Sequence, residues 1–351
     1  MKLNLIQMKR GKMNKRYISF ALIIFLVLLV SACKKSGSSS GTSPKTPFIG
    51  GTAGITMNFE KDSPPPEVTD DGSFAFDAFI RIKNDGEFKV LKDKVRINLV
   101  GFDPVDFQST LADISDIIPD DDMDSKKRDA EGSIVEGTTT FAKIPKGGPT
   151  KDFIPKKFPG NTELTFRADI CYNYNTDANT KLCVLRDMIN ARDDMLCKPT
   201  GSRQIYSSSA PVQILNFKQD VVGKDKISFS FDIVLSNNVD IFWNEVEKTP
   251  SDGFEAACPR TPKNRRQVEN NVGLEILSIP TDALFSNLKC GGLDGAFKGV
   301  IKLINGRRTI TCTADISATR NDLEKIIPIN LKYNVLDNKE TKVVVKHFIT
   351  S

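Results

Sequence analysis

The chain has 351 residues and a single histidine, His347, and that scarcity bounds the chemistry before any motif is considered. A Ser-His-Asp triad, a Cys-His pair or a multi-histidine metal site would have to use it. It falls on an expected C-terminal strand with no partner identifiable nearby, so it reads as an edge or surface histidine and no residue is assigned to catalysis. Neither a G-x-x-x-x-G-K phosphate loop nor a G-x-G-x-x-G turn is present. The match of Gly37-Ser38-Ser39-Ser40-Gly41 to a nucleophile elbow lies in low-complexity sequence, where the strained strand-to-helix turn of that motif is not expected. The one candidate ligand cluster is Asp120, Asp122, Asp124 and Glu131, at positions 1, 3, 5 and 12 of a calcium-type loop. Ser125 stands where the turn glycine is needed, and Lys126-Lys127-Arg128 would repel the ion, so a solvated acidic loop is expected and no cofactor is assigned. Acidic residues for glycoside hydrolysis are plentiful, but nothing selects a pair.

Cysteine chemistry is more specific. Basic residues (Lys9, Arg10, Lys12, Lys15, Arg16) precede an apolar run over residues 20–30, which ends in Ser31-Ala32-Cys33. That order reads as a lipoprotein signal, with the Cys33 thiol taking a diacylglyceryl group and becoming the mature N-terminus. The apolar segment 17–30 is shorter than the roughly 20 residues that span a bilayer core. Residues 1–32 are therefore assigned as signal peptide, and residues 33–49 as the lipidated cysteine and a Ser/Gly/Pro-rich tether. The remaining cysteines are six: Cys171, Cys183, Cys197, Cys258, Cys290 and Cys312. An even set suits disulfides in an oxidising compartment. The expected pairs are Cys171 with Cys183 across a hairpin centred on Asp177, Cys290 with Cys312, and Cys197 with Cys258. The absence of C-x-x-C, with one histidine, argues against zinc.

Charge excludes another class. Residues 1–32 hold six of the 49 Lys and Arg and none of the 44 Asp and Glu, leaving a near-neutral mature chain. The basic pI belongs to the signal, and no basic-aromatic stripe exists, so a nucleic-acid partner is not expected.

These residues must be positioned by strands. Phe74, Phe76, Ala78, Ile80 and Ile82 alternate with more polar neighbours, and Ile227, Phe229, Phe231 and Val234 follow a similar scheme. Further strands are expected at 95–100, 162–174, 181–185, 212–217, 296–304, 309–314, 327–335 and 342–349, with a type I′ hairpin at Asn305-Gly306. Short helices are expected only at 111–118 and 186–196. Trp243 reads as a core or interdomain aromatic. Internal echoes suggest duplication: residues 58–62 with 216–220, 73–77 with 228–232, and Tyr172-Asn173 with Tyr333-Asn334. The expected fold class is all-β, with two tandem immunoglobulin-like β-sandwich domains at 50–208 and 209–351.

The segments Pro211 to Phe217, Ile227 to Asp232 and Cys171 to Cys183 resemble archaeal-type cell-surface lipoproteins with tandem immunoglobulin-like domains similar to CARDB adhesion modules. The resemblance covers residues 50–351 in outline. It implies extracytoplasmic β-sandwiches and supplies no catalytic residues. The expected function is a structural, adhesive or protein-interaction module on the outer face of a cell membrane, held by lipid on Cys33 and facing a protein or cell-envelope partner. An extracytoplasmic hydrolase using acidic residues and a solute-binding lipoprotein are the alternatives.

Overall fold

The computed structural model describes residues 46–148, 150–192, 194–277, 283–293 and 297–349. The signal, Cys33 and the tether up to residue 45 lie outside them. Residues Thr46–Ser351 form one compact unit, with a hydrophobic core running through its strands.

The described chain is nearly all antiparallel β. A three-stranded sheet is built from β1 (Ile55–Phe59), β3 (Ala78–Asn84) and β7 (Thr139–Ile144). A five-stranded sheet holds β9 (Gly201–Ser202), β11 (Val212–Gly223), β12 (Lys226–Leu235), β15 (Phe285–Cys290) and β17 (Arg307–Ile316). Both share one core with an eight-stranded sheet, whose centre is β8 (Thr162–Val184) paired with β18 (Leu323–Lys346). Its other members are β2 (Glu67–Thr69), β4 (Val95–Val100), β10 (Ile205–Ser207), β13 (Asp240–Phe242), β14 (Asn271–Ile276) and β16 (Lys298–Lys302). A small hairpin, β5 (Lys127–Arg128) with β6 (Ile134–Val135), stands apart.

Alternation explains the strands. In β12, Ile227, Phe229, Phe231 and Ile233 are buried, while Ser228 and Ser230 lie on the opposite face and are only partly covered. Phe217 stacks on both Phe229 and Phe231, with ring centroids 5.6 and 6.2 Å apart. Asn305 and Gly306 take φ values of 51° and 73°, the positive pair that a two-residue turn demands, and Ile304 and Arg307 exchange backbone hydrogen bonds across it.

The repeat has a structural counterpart. The order β1-β3-β7 recurs as β11-β12-β17, and β4 pairs with β8 as β14 pairs with β18. The boundary expected at 208/209 is nevertheless not a seam. All 23 residues of β8 pair with β18, so the last strand of each half runs into the territory of the other. The expected hairpin centred on Asp177 and the break expected between strands 327–335 and 342–349 are thereby corrected, because residues 162–184 and 323–346 are each one continuous strand. The helix expected at 186–196 does not form among the described residues 186–192 and 194–196, which make an irregular loop in which the Asp187 carboxylate accepts from the Ile189 and Asn190 N–H groups.

All six cysteines are bonded, as Cys171–Cys258, Cys183–Cys197 and Cys290–Cys312. Only the last matches expectation. Cys171 and Cys183 cannot meet, since twelve residues of extended strand separate them by roughly 40 Å. Cys171 instead reaches the segment after the short helix Phe254–Ala257, in a satellite core with Phe242, Phe254 and Leu336. Trp243 is 5% exposed, and its indole lies so close to β14 that a Cβ on Gly273 would come within 2.5 Å of Nε1.

Candidate functional site

The clearest built feature is where the described chain begins. Ile49 and Gly50 both donate their N–H groups to the Glu87 carboxylate at 2.8 Å, and Ser209 N–H joins them at 2.7 Å. A carboxylate taking three backbone donors is a strong, directional tie. Around it, Asn237 donates to Thr52 O at 2.7 Å, Ser209 Oγ to Ala53 O at 3.1 Å, and Glu87 N–H to Ser209 O at 3.0 Å. Gly86 is required here, because a Cβ would stand 2.0 Å from Tyr174 Oη and 2.5 Å from Ala53 O. The end of the tether is thus fastened to Glu87, whose carboxylate also takes the Ser209 N–H. No sequence signal marks Glu87, whose partners lie 37 or more residues away.

The acidic loop does not form an ion cage. Met123 is fully buried and exchanges backbone hydrogen bonds with Val90 in an isolated bridge, which fixes this part of the loop against that segment. Asp122 accepts from Lys92 N–H at 2.9 Å, Asp124 pairs with Lys89 at 2.9 Å, and Lys92 Nζ takes the Asp120 carbonyl at 2.7 Å. Glu131 sits in the turn of the β5–β6 hairpin. Among the described residues no group of three His, Cys, Asp or Glu side chains converges on a metal position, so Asp120, Asp122, Asp124 and Glu131 are not brought together.

The buried carboxylates are tied to donors rather than to one another. Asp169 pairs with Arg167 at 2.8 Å and Arg260 at 3.5 Å. For Asp232, burial pushes the carboxyl up, but hydrogen bonds from Thr309, Asn216 and Arg307 outweigh it and leave it below the usual range. Asp70 accepts from the N–H groups of Phe348 at 2.7 Å and Phe158 at 2.8 Å, with His347 Nδ1 at 2.8 Å. His347 therefore has a partner after all, brought to it from 277 residues away by the parallel pairing of β2 with the end of β18.

These contacts, led by the Phe348 N–H and followed by the His347 ring and the Phe158 N–H, hold the Asp70 carboxyl well below the ordinary carboxylate range. A depressed acid stabilises the fold fully above its unfolded value, near 4, and loses that contribution as pH falls through the folded value. Asp70→Asn is thus expected to be less stable than the parent near neutral pH, with the gap closing in acid. Urea midpoints measured near pH 7 and well below pH 4 check this, and an unchanged gap would sink the assignment.

No protein-family model matches the chain, and no curated protein matches it either.

Proposed function

We propose that this chain is a lipid-anchored interaction module on the extracytoplasmic face of a membrane, presenting a rigid β body to a protein or cell-envelope partner. The observation that carries the reading is the succession of an apolar run closed by Ser31-Ala32-Cys33, a Ser/Gly/Pro-rich tether, and the Glu87 carboxylate that takes the N–H groups of Ile49 and Gly50 where the tether meets the body. Such an arrangement would hold the body at the lipid surface. Three disulfides are compatible with an oxidising compartment. Among the described residues no helix is long and apolar enough to cross a membrane. The sequence resemblance to adhesion-type surface modules agrees with this reading.

Cys33→Ala is expected to abolish incorporation of labelled fatty acid and to leave the chain either unprocessed or released from the membrane fraction. Mass spectrometry of the parent should find an acylated Cys33 as the first residue. Any other mature N-terminus overturns the anchor.

A further inference from the structure

Two segments depart from the near-neutral charge of the mature chain. Residues 259–268 and 297–308 each hold four Lys or Arg and no Asp or Glu. The fold joins them, since Lys302 Nζ donates to the Arg266 carbonyl at 3.4 Å and β16, which ends at Lys302, pairs with β14 just beyond the helix Pro262–Val268. Lys263 and Arg266 lie three apart on one face of that helix, and both are exposed, as is Lys302. Nearby carboxylates are engaged elsewhere. Arg265 takes Asp240 at 2.9 Å and Glu269 at 2.6 Å, and Arg307 pairs with Asp232.

This cationic surface stands where the tether meets the body. Asn237, whose amide donates to Thr52 O at 2.7 Å, is two residues from Leu235, whose N–H donates to Gly306 O at 2.8 Å in the turn between β16 and β17. The same loop reaches the helix on its other side through Asp240 and Arg265. At the turn Ile304 is 60% exposed, two residues from Lys302. Thr52, the loop 236–240, the turn and the helix thus form one continuous end of the body.

We infer that this end docks on the headgroups of an anionic bilayer, with Lys263, Arg266 and Lys302 on the phosphates and Ile304 entering the interface. The inference rests on lipidation of Cys33 and goes beyond it by fixing which end of the body meets the lipid. Reach is the first argument for a bilayer over any other polyanion. Cys33 and Thr46 are 13 positions apart in sequence, so the segment between them spans at most about 45 Å. Glu87 and Asn237 then pin residues 49–52 to the body. A lipid on Cys33 therefore keeps the cationic end within range of the headgroups.

Composition is the second argument. Cations around an exposed aliphatic are what an interfacial contact needs, the charges drawn to anionic headgroups and the side chain buried at the acyl boundary. The attraction acts only within a Debye length, roughly 8 Å at physiological salt, and the tether supplies that proximity. Once one attachment exists, a second contact of modest strength is enough to orient the body.

The test uses the full chain isolated from the membrane fraction and reconstituted into vesicles of phosphatidylcholine, alone or mixed with anionic phosphatidylglycerol. Brominated acyl chains serve as quenchers of indole fluorescence. Trp243 is the only tryptophan and is buried, so Ile304→Trp places a reporter at the turn. Ile189→Trp places another beside the turn joining β11 to β12, at the far end of β12 and about 30 Å away along that strand. Both parent side chains are largely exposed, at 60% and 63%. With phosphatidylglycerol present, the indole of Ile304→Trp is expected to shift to the blue and be quenched, while that of Ile189→Trp is not. Replacing Lys302 and Arg266 by Gln should lower the ratio of docked to free body by about fivefold each, and added salt should lower it too. Quenching of Ile189→Trp in place of Ile304→Trp, equal quenching in both lipids, or indifference to the two Gln substitutions overturns the docking and leaves the Cys33 anchor standing. An Ile304→Trp indole that ignores vesicles but responds to soluble polygalacturonate, with the same dependence on Lys302 and Arg266, overturns it as well, since the surface would then take an acidic polymer. If mass spectrometry of the same preparation finds no acyl group on Cys33, the anchor itself fails and the docking falls with it.

Discussion

Expressed alone, residues 209–351 are expected to aggregate or remain unstructured, and so are residues 46–208. Each half owns strands with clear alternation, yet neither owns a closed core. Cutting between them strips β18 of its partner along the whole of β8 and opens the inner faces of Tyr333, Val335, Val343 and Val345, all buried in the intact chain. It also separates Cys171 from Cys258. A long, apolar, unpaired strand is a template for wrong pairing. Mixing the two fragments under oxidising conditions should recover a 1:1 complex with β-type circular dichroism and cooperative unfolding. A second half that unfolds cooperatively by itself would mean that the β8–β18 pairing is dispensable, and the single-body description would fall.

Replacing Cys171 and Cys258 together by alanine is expected to lower stability by about 4.5 kcal/mol, the chain-entropy value for a crosslink of this span. The two residues are 87 apart in sequence, against 14 for Cys183 and Cys197, where about 3 kcal/mol is expected. In a body of this size the larger loss corresponds to a fall in Tm of roughly 7 °C. The bridge also fastens the segment carrying Phe242 and Phe254 to β8 at the centre of the eight-stranded sheet, where a small core of its own holds it. Thermal unfolding of the double variant beside its Cys183/Cys197 counterpart checks the order of the two effects. Equal stability of parent and variant would refute the pairing, as would non-reduced peptide mapping that joins Cys171 to Cys183.

Features that depend on near neighbours were legible in the sequence. Residues 95–100 alternate and form a strand with those bounds, and Asn305-Gly306 makes its turn because two adjacent residues tolerate positive φ. Cys290 and Cys312 lie opposite each other on β15 and β17, of which alternation marks β17 within 309–314 and leaves β15 unmarked. The all-β class follows from the same alternation. What tertiary structure alone decided is how far each strand runs and where its side chains find partners. Asn175-Thr176-Asp177 has the composition of a turn, yet β8 passes straight through it. Thr176 donates to Val212 O at 2.6 Å and meets Tyr333 Oη at 2.8 Å, while Asp177 accepts from Asn330 at 2.7 Å and exchanges hydrogen bonds with Ser208. Those partners lie 31 to 157 residues away. Short polar side chains favour a turn when they must bond to their own backbone, and that preference disappears once distant groups satisfy them inside a sheet. The same long-range pairing moved Cys171 and Cys183 apart, gave His347 its Asp70, and brought Glu87 to the end of the tether. None of these contacts leaves a trace in local spacing, because each joins segments far apart in sequence that only the tertiary fold brings together.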